Sequence, residues 1–209
     1  MKQENRIRDD GLRPLYRTSS LVELEIPPVQ PIVDELIIQR DDVIVEIGAG
    51  MGHFTLPIAR HLNVSGSSGV VFACDFSKTA VEGIAKDAAA RGVDGYVRAV
   101  CLSAVGPRCL PFSDEQVQSV LAVNTLQYLA DPFPYITDIV RILVPCGSLL
   151  IADWRDHHYL QAQGKPQGVG TAPEALYSLL DRAGLDVHVR LNIEGYSWAV
   201  RAMKPLIIS

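Results

Sequence analysis

The sequence predicts an α/β protein of three layers, in which helices cover both faces of a mostly parallel, seven-stranded sheet. Short runs of buried-strand composition alternate with segments of helical periodicity, as in parallel strands joined by crossover helices. The last two strand-like runs are separated only by a turn at Glu194 and Gly195, which predicts a C-terminal antiparallel hairpin. The 209 residues, 48% of them hydrophobic, suffice for one domain with a substantial core. We expect an N-terminal arm or lid over residues 1–20 and one domain over residues 21–209.

Charge and cysteine pattern argue against several classes of function. The formal net charge is −5, so a nucleic-acid backbone or an anionic membrane is not expected as the main partner. The charged N-terminus has no signal-peptide core and no apolar run reaches membrane-spanning length, which predicts a cytoplasmic protein. The cysteines lack metal-site spacing, so each is expected to be a small core hydrophobe and no metal is expected. They are Cys74, Cys101, Cys109 and Cys146.

A first helix is expected to start near Pro28 and to dock on the sheet ahead of the first strand. Its apolar residues fall at helical spacing. They are Val29, Ile32, Val33, Leu36 and Ile37. The segment before it carries charge without a clear period, so a mobile arm and a lid over the site both stay open.

The first strand, residues 43–47, runs directly into a glycine-rich turn. The glycines are Gly48, Gly50 and Gly52. A new helix follows the turn, so the strand's carboxyl end offers close backbone approach and predicts a nucleotide-type ligand site. A dinucleotide fingerprint would need a glycine where His53 stands, and a phosphate-gripping loop would need a Gly-Lys-Ser/Thr sequence that is missing. A tight turn without any ligand stays open at this point.

The second strand, residues 70–75, closes on Asp75. In nucleotide-binding α/β folds an acid at this position takes the two ribose hydroxyls, so we assign that role to Asp75. Ser77 is better placed to cap the next helix, which is expected from Lys78 to about Arg91 with Gly92 as its stop. The predicted buried face of that helix consists of Val81, Ile84, Ala85 and Ala88.

Five further strands complete the predicted sheet, with two more helices between them. The strands are expected at residues 96–102, 117–123 and 147–154, with a helix starting at Asp131-Pro132 between the last two. The long polar loop over residues 156–170 favours a substrate loop. A capping box at 171–174 then opens a helix with Leu176, Leu179, Leu180 and Ala183 on its buried face and Gly184 as its stop. The hairpin strands are expected at about 187–192 and 197–204.

Five motifs occur in order along the chain: Glu46 two residues before the glycine turn, Asp75, Leu110-Pro111-Phe112, Asn124, and Arg141-Ile-Leu-Val-Pro145 followed by Gly147. This ordered set resembles the class I S-adenosylmethionine-dependent methyltransferases over about residues 28–205. The resemblance implies a Rossmann-like fold, S-adenosylmethionine as cofactor and methyl transfer as the activity.

The resemblance also implies which residues contact the cofactor. The glycine turn would accommodate its methionyl part and sugar, and Glu46 would help to hold its amino group. The full expected set is Glu46, Gly48, Ala49, Gly50, Gly52, Asp75, Phe76, Leu102, Ser103 and Asn124. The family usually carries an acid after the third strand that contacts the adenine amino group, but residues 101–109 contain no carboxylate. A backbone N–H near Leu102 or Ser103 is expected to take over part of that recognition.

Two further departures from the family pattern fall on Gln118, where an acid is usual, and on Cys146, where a turn glycine is usual. Neither position normally does chemistry, so both are interpreted as drift in structural positions. The acceptor is expected to be a small molecule that enters between the N-terminal arm and the 156–170 loop. Candidate acceptor contacts are Asn124, Tyr128, Asp153, His157 and His158.

Rival functions stay open at this point. A non-catalytic S-adenosylmethionine- or nucleotide-binding protein with the same fold is the main alternative, because the adenine-side acid is missing. A dinucleotide oxidoreductase is disfavoured by His53. An RNA methyltransferase is disfavoured by the acidic chain and by the lack of a Pro-Pro-Tyr-type motif after the fourth strand.

Overall fold

The computed structural model describes residues 29–103, 108–126, 129, 131–154, 173–193 and 197–206, with only the backbone at 153–154, 173–174, 189–193 and 197–198. The helices are α1 (Val29–Glu35), α2 (Thr55–Val64), α3 (Lys78–Ala90), α4 (Phe133–Ile142) and α5 (Pro173–Arg182), with a 3-10 turn at Asp94–Tyr96. The strands are β1 (Val43–Ile47), β2 (Val70–Asp75), β3 (Val97–Cys101), β4 (Val117–Val123), β5 (Leu143–Trp154), β6 (Asp186–Ile193) and β7 (Ser197–Met203). The predicted arm at residues 1–20, the 156–170 loop and Tyr128 lie outside the described residues.

The strands form one seven-stranded sheet in the order β3-β2-β1-β4-β5-β7-β6. Strands β1 to β5 are parallel to one another, whereas β7 runs antiparallel to both β5 and β6. This confirms the predicted mostly parallel sheet with an antiparallel C-terminal hairpin. Within the part of the chain that the structure describes, no helix combines the length and the apolar character needed to cross a membrane.

Helices pack on both faces of the sheet, because successive side chains of a strand point to opposite sides. On one face Ile44 of β1 packs in a core with Ile58 of α2. On the other face the neighbouring residue Val45 packs in a second core with Ile136 of α4 and Leu176 of α5. The predicted three-layer α/β architecture is therefore confirmed.

Helix α1 docks on the sheet as expected, but it is shorter than the apolar pattern predicts. Ile32, Val33 and Leu36 are buried. The prediction for Ile37 is wrong, because the helix ends at Glu35 and Ile37 has a φ of +49°. Its side chain is consequently turned away from the helical face and is 56% exposed.

Helix α3 has the predicted cap and stop. The Ser77 hydroxyl accepts the N–H of Ala80 at 3.2 Å, and Gly92 ends the helical run with a φ of +66°. The prediction that Ala85 is buried is wrong, because the buried stripe runs one residue earlier on the helix and leaves Ala85 exposed. That stripe consists of Ala80, Ile84 and Ala88.

Several strand boundaries differ from the predicted ones, most of them by one residue. Tyr96 belongs to the 3-10 turn, so β3 begins one residue later than predicted. Strand β5 begins at Leu143, four residues before the predicted start, because Leu143 pairs with Val117 ahead of a register shift. The fourth strand has the predicted bounds.

Both departures from the family pattern make structural contacts. The Gln118 side-chain carbonyl accepts the N–H of Val43 at 2.8 Å and so fastens the start of β1 to β4. Cys146 has a φ of +64°, a conformation that glycine adopts without steric cost. Its N–H donates to the carbonyl of Lys204 at 2.9 Å, which holds this part of β5 against the end of β7.

The cysteines divide into two groups. Cys74 is fully buried, and desolvation, with the nearby Glu46 and Asp75 charges, raises the pKa of its thiol to about 12. The prediction of a core position is wrong for Cys101 and Cys146, which are exposed at the end of β3 and at the register shift near the start of β5. Cys109 is half-buried and packs against the core.

A buried ion pair fastens the segment after β3 to helix α4. Asp138, whose side chain is 0% exposed, contacts the guanidinium of Arg141 at 2.6 Å. The same carboxylate accepts the N–H of Leu110 at 2.8 Å. Arg141 also donates to the carbonyls of Leu110 at 3.1 Å and Phe112 at 2.7 Å. The Leu-Pro-Phe motif is therefore held by charge-assisted hydrogen bonds from both members of the pair.

Replacing Arg141 by alanine is expected to destabilise the fold by about 3–5 kcal/mol, because the Asp138 carboxylate stays buried without its cation. Urea unfolding followed by circular dichroism measures this loss. The matched control is Arg108→Ala, since Arg108 reaches Asp114 at 3.0 Å but both side chains are more than half exposed. The control should lose less than about 1 kcal/mol. Equal losses in the two variants would contradict the assignment.

Candidate functional site

The predicted cofactor residues lie where three parallel strands end side by side. Ile47 at the end of β1 is in register with Cys74 of β2 and with Ala122 of β4. The order of the strands changes direction between β1 and β4. From β1 the chain continues to β2 on one side, and from β4 it continues to β5 on the other side. Ligands of open α/β sheets bind at such a switch point, outside the carboxyl ends of the strands.

Backbone hydrogen bonds within the turn and to the end of β2 hold the glycine turn in place. The N–H groups of Gly48 and Ala49 both donate to the carbonyl of Cys74, at 2.8 and 3.1 Å. The N–H of Gly52 donates to the carbonyl of Ala49 at 2.8 Å. Since a phosphate-binding loop presents free N–H groups to its ligand, these bonds favour a ligand that is not held by phosphates.

Asp75 joins the glycine turn to the end of β2. One carboxylate oxygen accepts the N–H of Gly50 and the other accepts the N–H of Ser77, both at 2.8 Å. An ionised carboxylate has about four acceptor sites, so these two bonds leave about two for a ligand. Asp75 is half-buried. The carboxylate is thus oriented by the backbone and still has the capacity to accept two hydroxyl groups.

The side chain of Thr125 packs against Gly48, a contact that the sequence analysis did not identify. The Thr125 hydroxyl lies within 2.9 Å of the Ile47 carbonyl and 3.0 Å of the Val123 carbonyl, so it links the ends of β1 and β4. A Cβ on Gly48 would lie only 2.3 Å from the Thr125 hydroxyl oxygen, and the φ of Gly48 is +73°. No periodicity could have found Thr125, because the contact depends on how β4 ends beside the turn.

The side chain of Glu46 makes a hydrogen bond within the protein. Its side chain is buried, and one carboxylate oxygen accepts a hydrogen bond from the hydroxyl of Thr55, the first residue of α2. Burial raises the pKa of the Glu46 carboxyl from its ordinary value of 4.5 to about 8, opposed by hydrogen bonds from Thr55 and assisted by the Asp75 charge. Glu46 therefore carries a proton at neutral pH and anchors the helix that follows the turn. The sequence analysis did not identify this role of Thr55.

The end of β3 offers few groups for a ligand. The N–H of Leu102 already donates to the carbonyl of Asp75 at 2.8 Å, and the Leu102 side chain is buried. This N–H is therefore not free for adenine, contrary to one of the two sequence-based options. Ser103, the other option, is exposed immediately after it. Phe76 is half-buried and packs against the core.

Asn124 lies at the end of β4 in a left-handed conformation, with a φ of +52°. Its N–H donates to the carbonyl of Ala152 at 2.8 Å. Its side-chain carbonyl oxygen is buried and has no hydrogen-bond partner within the described residues. A buried acceptor without a donor is costly, so this oxygen fits a ligand that brings an N–H or ammonium group.

The proposed acceptor contacts are not all described. Asp153 lies at the end of β5, where only the backbone is described, and Tyr128, His157 and His158 lie outside the described residues. Among the residues that are described, no group of three or more His, Cys, Asp or Glu side chains is arranged to hold a metal ion.

A comparison with protein-family models matches residues 44–147 to the family described as "Methyltransferase domain". The matched region runs from β1 into β5 and includes the glycine turn, Asp75 and Asn124. No curated protein sequence matches the chain.

Solved structures with the same fold are distant in sequence. An S-adenosylmethionine-dependent methyltransferase from Aquifex aeolicus has a TM-score of 0.70 at 20% identity, covering 87% of this chain and 92% of that one. The cyclase SpnF has a TM-score of 0.71 at 17% identity, with coverages of 86% and 81%. Geranyl diphosphate C-methyltransferase from Streptomyces coelicolor, solved with Mg2+, geranyl diphosphate and S-adenosyl-L-homocysteine, has a TM-score of 0.68 at 12% identity, with coverages of 84% and 80%.

The fold, the edge at which its strand-end residues meet and the family match define a class of protein. The chain carries a methyltransferase domain over residues 44–147, and it has the fold of solved S-adenosylmethionine-dependent methyltransferases.

Glu46 makes the stability of the fold depend on pH. The pKa of Glu46 is about 8 in the folded protein and has its ordinary value of 4.5 in the unfolded chain. Between these two pH values the folded state keeps a proton that the unfolded state has lost. Stability should therefore fall as the pH rises through this range and level off above it. Glu46→Gln should remove most of that fall, on the order of 3–5 kcal/mol, while keeping an acceptor for Thr55.

Urea titrations of the wild type and the variant at several pH values between 5 and 9 measure this difference. Glu82→Gln is the matched control, because its side chain is 66% exposed and should leave the wild-type slope unchanged. A Glu46→Gln variant with the same pH slope as the wild type would show that Glu46 is ionised in the fold.

Proposed function

We propose that the chain transfers a methyl group from S-adenosylmethionine to a small-molecule acceptor, at the edge where β1, β2 and β4 end. The observation that carries the proposal is the pair formed by the backbone-oriented Asp75 carboxylate and the unpartnered Asn124 oxygen on strands β2 and β4. These groups supply hydrogen-bond acceptors on both sides of the glycine turn. A nucleoside that also carries an amino group requires acceptors of this kind.

The residues present fit such a cofactor. Asp75 has acceptor capacity left for the two ribose hydroxyls, and the Asn124 oxygen suits the amino group of the methionyl part. Gly48, Ala49, Gly50 and Gly52 form the turn between these two groups. Glu46 is proposed to act through the turn, because it anchors α2 by way of Thr55.

The chemistry demands little from the protein beyond geometry. The cofactor supplies an electrophilic methyl group on a sulfonium. The residues of the chain have to place an acceptor atom in line with that group and to keep water away, and positioning of this kind can account for much of a rate acceleration. Methyl transfer at this site therefore requires no dedicated general base. Asp153 at the end of β5 is on the same edge of the sheet and is proposed to contact the acceptor.

The acceptor is proposed to enter between the arm at residues 1–20 and the 156–170 loop. Both segments are expected from the sequence to lie near the glycine turn. Geranyl diphosphate C-methyltransferase shows that this fold serves a small acceptor in another protein. The formal net charge of −5 also favours a small molecule over a nucleic acid. The arm and the loop are proposed as lids within a protein whose main domain spans residues 21–209.

A protein that binds the cofactor without transferring its methyl group is the second candidate. Two observations favour it. First, residues 101–109 contain no carboxylate. Second, the structurally similar SpnF is described as a cyclase, so the fold also occurs in a protein named for a different reaction. Radiolabel transfer from S-adenosylmethionine to small molecules of a cell extract, with heat-inactivated protein as control, separates the two candidates.

Asp75→Ala is expected to weaken binding of S-adenosylhomocysteine by roughly 2–4 kcal/mol, because two charge-assisted hydrogen bonds to the ribose are lost together. Isothermal titration calorimetry measures the affinity, and a thermal melt checks that the variant is folded. Asp94→Ala is the control, since Asp94 is exposed in the 3-10 turn. Unchanged affinity in a folded Asp75→Ala protein would remove the proposed site.

Deleting residues 1–20 tests the lid. Turnover of a small acceptor identified in the labelled extract should fall at least tenfold, while the remaining chain still melts cooperatively and still binds S-adenosylhomocysteine. Substituting the charged residues of the same segment by serine is a control that keeps its length. Unchanged turnover after the deletion, or label found only on protein or RNA, would count against a small acceptor under this lid.

A further inference from the structure

Glu46 is a buried acid beside the glycine turn, two residues before Gly48. The residue is only 2% exposed. Both hydrogen bonds that reach its carboxyl come from Thr55, one from the hydroxyl and one from the N–H. Burial penalises the charged form of a carboxyl that has no cation beside it, so the protonated form is the more stable one here.

The groups that face Glu46 from the neighbouring elements offer no positive charge. On the β2 side they are Cys74 and Asp75, and the Asp75 charge itself raises the pKa of Glu46. On the β4 side the register partner is the apolar Leu121. Helix α2 contributes Thr55, and no Lys, Arg or His side chain among the described residues acts on this carboxyl. The charge that would stabilise an ionised Glu46 therefore has to come from a bound ligand.

A ligand at the proposed site changes the surroundings of Glu46 in one direction only. The carboxyl is already out of water, so a molecule bound over the turn adds little to its desolvation. Hydroxyl groups that donate to Asp75 weaken the negative potential of that carboxylate, and the amino group expected near Asn124 carries a positive charge. Both effects favour the ionised form of Glu46.

We propose that binding of the cofactor ionises Glu46 and releases its proton to the solvent, an inference that rests on the proposed function. The O–H bond of the carboxyl breaks, the proton passes to the buffer, and the Thr55 hydroxyl donates to the carboxylate that is left. Because burial holds the pKa of Glu46 at about 8 before binding, most of the protein carries this proton at pH 7. Low pH therefore opposes binding, so the affinity should rise with pH up to about 8 and level off above it.

Calorimetric titration of the full chain with S-adenosylhomocysteine at pH 7, repeated in buffers that differ in ionisation enthalpy, counts the released protons. The wild type should release about 0.5–1 proton more than Glu46→Gln, because only the wild type has this proton to lose. The comparison cancels any proton that the amino group of the ligand exchanges, since the same ligand binds to both proteins. Relative to the variant, the wild-type dissociation constant should also weaken at least about fivefold from pH 8 to pH 6.

Glu82→Gln is the matched control, because its exposed side chain should leave the proton count of the wild type unchanged. Equal proton release from the wild type and Glu46→Gln would overturn the inference, with S-adenosylhomocysteine bound normally and the proposed function intact. Failure of S-adenosylhomocysteine to bind the folded wild type would remove the proposed function and this inference with it.

Infrared spectroscopy of the wild type tests the same step without a variant. The C=O stretching band of a protonated carboxyl group should be present at pH 7 and should disappear when S-adenosylhomocysteine is added. Labelling the protein with carbon-13 and leaving the ligand unlabelled separates the bands of the two molecules. A protonated carboxyl band that persists at saturating ligand, or one that is missing before ligand is added, would overturn the proposal.

Discussion

The carboxylate of Asp75 is the interaction on which the site depends, because its two oxygens join segments from two strands. Gly50 belongs to the turn after β1, and Ser77 caps the helix after β2. Each donates its N–H to a different oxygen of the same side chain. The carboxylate is fixed before any ligand arrives, so its remaining acceptor sites point in defined directions. Preorganisation of this kind lowers the entropic cost of binding.

The rest of the turn is built so that the protein satisfies its own polar groups. Thr125 occupies the space that the missing side chain of Gly48 leaves, and its hydroxyl bonds to the backbone at the ends of β1 and β4. Glu46 lies beneath the turn with its carboxyl protonated and bonded to Thr55. The glycines thus serve close packing of the strand ends as well as ligand approach. A loop that held phosphates would need these N–H groups free.

The sequence predicted what depends on local pattern and on order along the chain. Strand β4 has the expected bounds, Ser77 and Gly92 bound α3 as expected, and the mixed sheet follows from the alternation of strands and helices. The prediction failed where the spacing of apolar residues does not show the end of an element. Ile37 fits the helical spacing of α1 but lies past the helix end, a position that the spacing alone does not show.

The site shows the same division. Asp75 could be placed from sequence because a strand-end acid has a recurrent role, and the sheet brings it beside the glycine turn. The contacts of Thr55 and Thr125 could not be predicted, because both depend on how elements from different parts of the chain meet. The hydrogen bond that Glu46 accepts from Thr55 and the burial that raises the pKa of Glu46 have the same cause.

The central claim is that Asp75 and the glycine turn hold the nucleoside of the cofactor. A crystal structure of the protein with S-adenosylhomocysteine tests this claim most directly. We expect both ribose hydroxyls within hydrogen-bonding distance of the Asp75 carboxylate and the amino group close to the side-chain oxygen of Asn124. A ligand bound at another edge of the sheet, or one that leaves the Asp75 carboxylate without a hydroxyl partner, would contradict it.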